Sequence, residues 1–243
     1  MKKVVVITGA GRGIGAATAI LLASQGYAVC VNYQSRAENA KQVVDTIEKN
    51  GGQAFAFAAD VSIEADVLAL FAAVQSKYGT VTHLVNNAGI LFAQSTLANL
   101  SVERFNKVLI TNATSCFLCC REAIRAMPSG GAIVNVSSAA SRLGAPGEYI
   151  DYAASKGAMD SLTRGLSLEL ADRNIRVNAV RPGFIDTEMH ADGGEPNRVA
   201  RLTPQIPLKR GGTPAEVANS IAWLLSDQAS YVTGTFIDIA GGK

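Results

Sequence analysis

Histidine is scarce in this 243-residue chain, which has only His83 and His190. A catalytic zinc site or a Ser-His-Asp triad therefore has little to draw on, and no metal is expected. Aromatic residues make up 6% of the chain, and the formal charge of +2 comes from interspersed signs with no basic run. Nothing in that pattern would track a phosphate backbone, so nucleic acid is not an expected partner. No apolar run is long enough to span a bilayer, and the one after Lys2-Lys3 reaches only from Val4 to Ile7 before meeting glycines, too short for a signal peptide. The expectation is a cytoplasmic protein that does not engage membranes. The four cysteines, Cys30, Cys116, Cys119 and Cys120, include three within five residues. That spacing makes a poor disulfide framework and suits a reducing compartment. Cys116-x-x-Cys119 sits in the apolar helical run "TSCFLCCREAI" and is read as small packed residues rather than a redox or metal pair.

What is abundant is aliphatic residues and glycine: 48% of the chain is hydrophobic and 23 residues are glycine. Short β-branched runs alternate with longer helical patterns. The strands read as "VVVIT", "YAVCVNY", "QAFAFAA", "THLVNNAG", "GAIVNVSS", "IRVNAVRPG" and "TFIDIAGG", with helices between them, including one from about Ser101 to Met127 and one from about Asp151 to Arg173. Seven strands separated by helices predict an α/β fold, a doubly wound parallel sheet covered on both faces. No repeat or linker divides the chain, so residues 1–243 are expected to form one domain. The least regular stretch, residues 184–212, is expected to be a substrate-binding lid.

The first strand runs into "TGAGRGIG", with glycines at 9, 11, 13 and 15. Backbone N–H groups and the positive end of the following helix then point at whatever lies above the strand tip, and missing Cβ atoms admit a pyrophosphate. The strict G-x-G-x-x-G pattern fails from Gly9 because position 14 is Ile14, whereas T-G-x-x-x-G-x-G fits Thr8, Gly9, Gly13 and Gly15. At the end of the second strand, where an NAD site usually carries an acid for the ribose hydroxyls, stand Tyr33, Gln34, Ser35 and Arg36, with Arg12 inside the glycine turn. Two guanidinium groups and no carboxylate suit a 2′-phosphate, which favours NADP(H), with NAD(H) possible.

Tyr152 and Lys156 stand four apart and share one helix face. An ammonium ~5 Å from a phenol, at an effective dielectric of ~20, would stabilise the phenolate by roughly 3 kcal/mol and bring its pKa towards neutral. Ser137 and Ser138 close the fifth strand and Asn86 to Gly89 the fourth, so the candidate groups gather at the carboxyl ends of strands, where open α/β sheets bind ligands.

Through Thr8-Gly9-x3-Gly13-x-Gly15, Asp60-Val61, Asn87-Ala88-Gly89, Asn112, Ser138, Tyr152-x3-Lys156 and Pro182-Gly183, the chain resembles the short-chain dehydrogenase/reductase family over essentially its whole length. Within that family it is similar to the NADP(H)-preferring branch of 3-oxoacyl reductases and glucose dehydrogenases. The resemblance implies a Rossmann fold and hydride transfer between a nicotinamide cofactor and a carbonyl or alcohol. It casts Tyr152 as proton donor in reduction and Lys156 as the group that lowers its pKa and holds the ribose. Ser138 would bond the substrate oxygen and Asn112 hold a relay water. The implied cofactor contacts are Thr8, Gly9, Gly11, Arg12, Gly13, Ile14, Gly15, Tyr33, Ser35 and Arg36, then Asp60 and Val61 at the adenine, Asn87, Ala88 and Gly89, and Pro182, Gly183, Ile185 and Thr187 near the carboxamide. In the family the serine usually precedes the tyrosine by thirteen; here that place holds Asp151, which a one-residue insertion in "SRLGAPGEYI" would explain. Tyr149 lacks a lysine four residues on, and Ser137 is the lesser candidate for the serine.

Lid residues Met189, His190, Asp192, Glu195 and Arg198 lean towards a small polar ketone or hydroxylated substrate. The expected activity is NADP(H)-linked carbonyl reduction. A sugar or polyol dehydrogenase and a 3-oxoacyl-thioester reductase are the alternatives, and a non-catalytic NADPH sensor the remote one. The resemblance also implies a homotetramer or homodimer, with Cys116, Cys120, Ala158 and Leu162 compatible with its interface.

Overall fold

A computed structural model describes residues 2–243. β1 (Val4–Ile7) is buried along its whole length, and its side chains alternate between two cores, Val5 and Ile7 on one face of the sheet, Val4 and Val6 on the other. Each fully buried aliphatic side chain contributes on the order of 1.5–3 kcal/mol, and both faces must be covered to gain it. The chain supplies the cover. α1 (Gly13–Ser24), α2 (Ala37–Lys49) and, much later, α10 (Pro214–Leu225) contribute Leu22, Val43, Ile47, Ile221 and Leu224 to the Val5 and Ile7 face. On the other face α3 (Glu64–Tyr78), α5 (Ser115–Ala126) and α7 (Ile150–Glu169) contribute Leu70, Val74, Cys119 and Met159.

The remaining strands are β2 (Ala28–Tyr33), β3 (Gln53–Ala58), β4 (His83–Asn86), β5 (Gly131–Val136), β6 (Ile175–Pro182) and β7 (Phe236–Ile239). All seven pair in parallel in the order β3-β2-β1-β4-β5-β6-β7, as the alternating runs predict. The chain winds outward from β1 to β3 and then crosses to β4, so a crevice opens between the carboxyl ends of β1 and β4, where ligands sit in such sheets. α10 starts on a full capping box: Thr213 accepts from the Glu216 N–H and the Glu216 carboxylate from the Thr213 N–H, with Pro214 at the first position.

Two stretches depart from the expected elements. The single helix expected from Ser101 to Met127 is α4 (Val102–Leu109), a π-turn at Ile110–Thr114, then α5. Such a turn inserts a residue into an otherwise continuous helix, often at functional sites, and here it carries Asn112. The stretch 184–212, expected as irregular lid, contains two short helices, α8 (Met189–Asp192) and α9 (Arg198–Leu202). Another short helix, α6 (Ala140–Leu143), follows β5. No helix among the described residues is long and apolar enough to cross a membrane.

Candidate active site

The glycine turn after β1 is folded against the end of β4. Gly9 has φ +60, and a Cβ there would lie 3.0 Å from the Ala88 Cα; a Cβ on Gly15 would lie 2.6 Å from both Asn87 Nδ2 and the Gly9 carbonyl oxygen. The Thr8 hydroxyl accepts from the N–H groups of Asn87 and Ala88, both at 2.9 Å, and Asn87 Nδ2 donates back to the carbonyls of Thr8 (3.0 Å) and Gly9 (2.9 Å). Asn32, a buried polar residue within the apolar β2, accepts from Gly9 N–H at 3.2 Å and donates to the carbonyls of Phe57 and Ala59. Thr8 and Gly15 thus shape the turn from beneath. Asn32 does the same without having been singled out; its polarity in a buried strand was the available signal.

The cleft above this turn is lined by Gly9, Gly11, Arg12, Gly13, Ile14, Tyr33, Ser35, Arg36, Asp60, Val61, Asn87, Ala88 and Gly89, together with Thr187. Asp60 is held by Ser62, whose N–H and hydroxyl donate to Oδ1, and by Gln34, whose amide donates to Oδ2. The guanidiniums of Arg12 and Arg36, distant from each other in sequence, converge on one carboxylate, that of Asp192 at the end of α8. That convergence is a built anion site, and with the side-chain-free turn it fits the dinucleotide with a 2′-phosphate expected from the sequence.

A second cavity of about 440 Å³ adjoins the cleft, and Ile14, Asn87, Thr187 and Met189 belong to both. Ser138, Tyr152, Lys156, Pro182, Gly183 and Ile185 line it. Ser138 and Tyr152 both face this cavity, and the Ser138 hydroxyl accepts from the Ala140 N–H at 3.1 Å, while the residue at the thirteenth place, Asp151, is buried and occupied elsewhere. Its carboxylate accepts from the Tyr152 N–H (2.9 Å) and pairs with Arg104 Nε (2.8 Å), pinning the start of α7. The loop between α6 and α7 turns through left-handed backbone at Gly144, Ala145 and Gly147. Ser137 is buried and its hydroxyl turns to the Lys156 carbonyl, 3.4 Å away.

Lys156 is 3% exposed. Its Nζ donates to the Val136 carbonyl at 2.8 Å, contacts the Met159 sulfur at 3.4 Å and lies 5.5 Å from the Tyr152 ring centre. Asn112 is fully buried, its amide engaged with the Ile90 N–H and carbonyl and with Ser155. Gly89 separates it from Lys156: a Cβ there would lie 3.3 Å from Asn112 Oδ1 and 3.5 Å from Lys156 Nζ. Below them Asn86, Asn135 and Thr163 form a buried chain of 2.8 Å hydrogen bonds linking β4, β5 and α7.

Three expectations need correction. The Tyr152 pKa is not lowered towards neutral: burial pushes it up to about 12, only partly opposed by the Ser138 hydrogen bond, while burial brings Lys156 down to about 8. Desolvation disfavours the charged form of each group, and that raises the phenol and lowers the ammonium. Cys116 and Cys120 cannot face a partner subunit, because both are packed in the core beneath β4 and β5 and are at most 2% exposed. The lid charges do not leave the cavity mainly polar, because each is drawn into an ion pair. Glu195 is bound by Arg201 and Arg198, which bring its pKa down to about 2. Arg198 also pairs with Glu148 and stacks 4.7 Å over the Tyr149 ring. Most of the cavity wall is apolar, with Leu91, Leu143, Pro146, Phe184, Met189 and Leu202 standing beside Glu148, Arg198, Gln205 and Lys243. His190 lines it too, with Nε2 held 3.0 Å from the Ile185 carbonyl and burial favouring the neutral ring.

With this geometry in place, known proteins give a consistent comparison. A family model described as "Enoyl-(Acyl carrier protein) reductase" matches residues 9–243. The chain is 60% identical to "Uncharacterized oxidoreductase YgfF" of Escherichia coli K12, covering 99% of each, and 44% identical to "3beta-hydroxysteroid dehydrogenase 1" of Eggerthella lenta, covering 99% of this chain and 93% of that one. The solved structure of the angucycline C-6 ketoreductase LanV with bound NADP superposes with a TM-score of 0.92 at 35% identity, covering 99% of this chain and 95% of that one. Its cofactor is the one expected here from Arg12 and Arg36. Fold, turn and site agree: this chain belongs to the short-chain dehydrogenase/reductase family of oxidoreductases.

Proposed function

We propose that the protein is an NADP(H)-dependent carbonyl reductase, acting as one dinucleotide-binding and catalytic unit on a ketone with a largely apolar body. The carrying observation is that Ser138, Tyr152 and Lys156 meet where the apolar cavity adjoins the glycine-turned cleft. Arg12 and Arg36 would hold the 2′-phosphate, Asp60 and Val61 would flank the adenine, and Pro182 to Ile185 with Thr187 would meet the carboxamide. When bound, the cofactor supplies the hydride. Ser138 would bond the carbonyl oxygen, and Tyr152, whose raised pKa keeps it protonated at neutral pH, would donate the proton that oxygen gains. The Lys156 ammonium would stabilise the phenolate left behind, with Asn112 fixing the floor through Ile90 and Ser155.

The apolar lining disfavours a sugar or polyol. It equally suits the acyl chain of a 3-oxoacyl thioester, which is the second reading. A cytoplasmic homo-oligomer is the accompanying proposal, its interface involving exposed Phe117 and Ile110. The test is consumption of NADPH, with NADH alongside, over apolar ketones, diketones, sugars and acyl thioesters, with Tyr152→Phe as the blank. Turnover of an apolar ketone that falls by at least a hundredfold in the variant is expected. Turnover confined to sugars would refute the substrate assignment, and undiminished turnover by Tyr152→Phe would refute the site.

A further inference from the structure

The anion site of the cleft is assembled from three distant parts of the chain: Arg12 in the glycine turn, Arg36 at the start of α2 and Asp192 at the end of α8. Asp192 Oδ1 accepts from Arg36 Nη2 at 3.0 Å, and its Oδ2 from Arg12 Nη2. All three side chains line the cleft, at 27% exposure for Arg12, 40% for Asp192 and 48% for Arg36. One carboxylate between two guanidiniums leaves a net positive charge, and Arg12 Nη1 is buried with no acceptor. A phosphate monoester brings nearly two negative charges and three oxygens to donors that the carboxylate serves with one charge and two oxygens. It is the stronger ligand for the same place.

Asp192 is also tied to the other cavity. It shares the four-residue α8 with Met189 and His190, which line the substrate cavity. Whatever displaces the carboxylate releases one end of that helix from the glycine turn.

Resting on the NADP(H) reading above, we infer that Asp192 is a specificity-determining residue, a lid-borne carboxylate that competes with the cofactor's 2′-phosphate for Arg12 and Arg36. A 2′-phosphorylated nucleotide therefore frees α8 from the cleft wall, and a nucleotide with a 2′-hydroxyl leaves it tied. The lid then reports which cofactor is bound, through a repulsive element built against the preferred ligand's own phosphate.

The test uses the full chain and nucleotide fragments, so that no turnover is involved. Calorimetric titration with 2′,5′-ADP and with 5′-AMP would compare wild type, Asp192→Asn and Asp192→Ala. Two partly exposed ion pairs correspond to a gain of roughly three- to thirtyfold in 2′,5′-ADP affinity when the carboxylate is removed, with 5′-AMP affinity within twofold of wild type. Hydrogen exchange over residues 189–202 of the wild type should quicken with 2′,5′-ADP and stay unchanged with 5′-AMP. Unchanged or weakened 2′,5′-ADP binding in both variants would overturn the competition. If Arg12→Ala and Arg36→Ala leave 2′,5′-ADP binding untouched, the NADP(H) reading itself fails, an outcome separable from the first because it does not involve Asp192.

Discussion

Lys156 is held in the core at a cost that can be measured. Its ammonium is 3% exposed, has the Val136 carbonyl and the Met159 sulfur within reach, and is brought by burial from its ordinary 10.5 to about 8. A lysine whose folded pKa is depressed destabilises the folded state wherever the unfolded chain would be protonated, because the folded state then either holds a buried charge or gives up the proton. The penalty is full below pH 8, diminishes as pH rises from 8 towards 10.5 and vanishes above that. Depression from 10.5 to about 8 corresponds to about 3 kcal/mol. Lys156→Met removes that penalty and leaves the Val136 carbonyl without its donor, a loss of about 1–3 kcal/mol, so the two nearly cancel at pH 7. The signature lies in the pH dependence. Between pH 7 and 9.5 the wild type should gain about 2 kcal/mol on the variant, on the order of 4–8 °C in Tm for a chain this size. Paired thermal melts of the two proteins across that range measure it, and titrations common to both cancel in the difference. A pH-independent difference would refute the account of Lys156 as a buried, depressed ammonium. A wild type that loses ground as pH rises would do the same.

Gly15→Ala puts a Cβ 2.6 Å from Asn87 Nδ2 and the Gly9 carbonyl, both fixed by the turn; a stability loss of about 1–3 kcal/mol is expected in denaturant unfolding, with weakened nucleotide binding by calorimetry. An unchanged midpoint would show that the turn yields more readily than its hydrogen bonds suggest. In pH–rate profiles of kcat/KM, carbonyl reduction should hold level to about pH 7.5 and decline above pH 8, as Lys156 loses the charge that stabilises the Tyr152 phenolate; a rate that is flat to pH 9.5 would mean that Tyr152 does not need that charge.

The strands were visible in the sequence because a sheet buried on both faces needs continuous apolar runs, and "VVVIT", "YAVCVNY" and "GAIVNVSS" are such runs. The glycine turn was visible for a related reason: Gly9 and Gly15 stand where no Cβ fits. The π-turn was not, since one inserted residue in "LITNATS" leaves the apolar pattern of the helix unbroken. Cys116 and Cys120 are compatible in sequence with a core or an interface, because small residues on a helix do not themselves say which of two packed faces they serve. The Tyr152 pKa escapes the sequence for a different reason. The spacing of Tyr152 and Lys156 fixes their separation, but the desolvation that governs both groups comes from residues that only the fold brings around them.

The lid gives the most instructive mismatch between composition and role. Asp192, Glu195, Arg198 and Arg201 look in sequence like a polar surface offered to a substrate, yet each finds an opposite charge. Glu195 and Arg198 meet at i, i+3, a pairing that sequence spacing can suggest. The partner of Asp192 cannot be found that way, because Arg12 lies 180 residues earlier. Charges neutralised in this manner let the lid cover an apolar cavity while its outer side stays hydrated. Because the pairing uses the arginines best placed for a phosphate, closing the lid and admitting the cofactor become opposed demands on the same guanidinium groups. On the proposed reading, that opposition couples the two cavities: Asp192 ties α8, whose Met189 and His190 line the substrate cavity, to the guanidiniums that the nucleotide's 2′-phosphate would take.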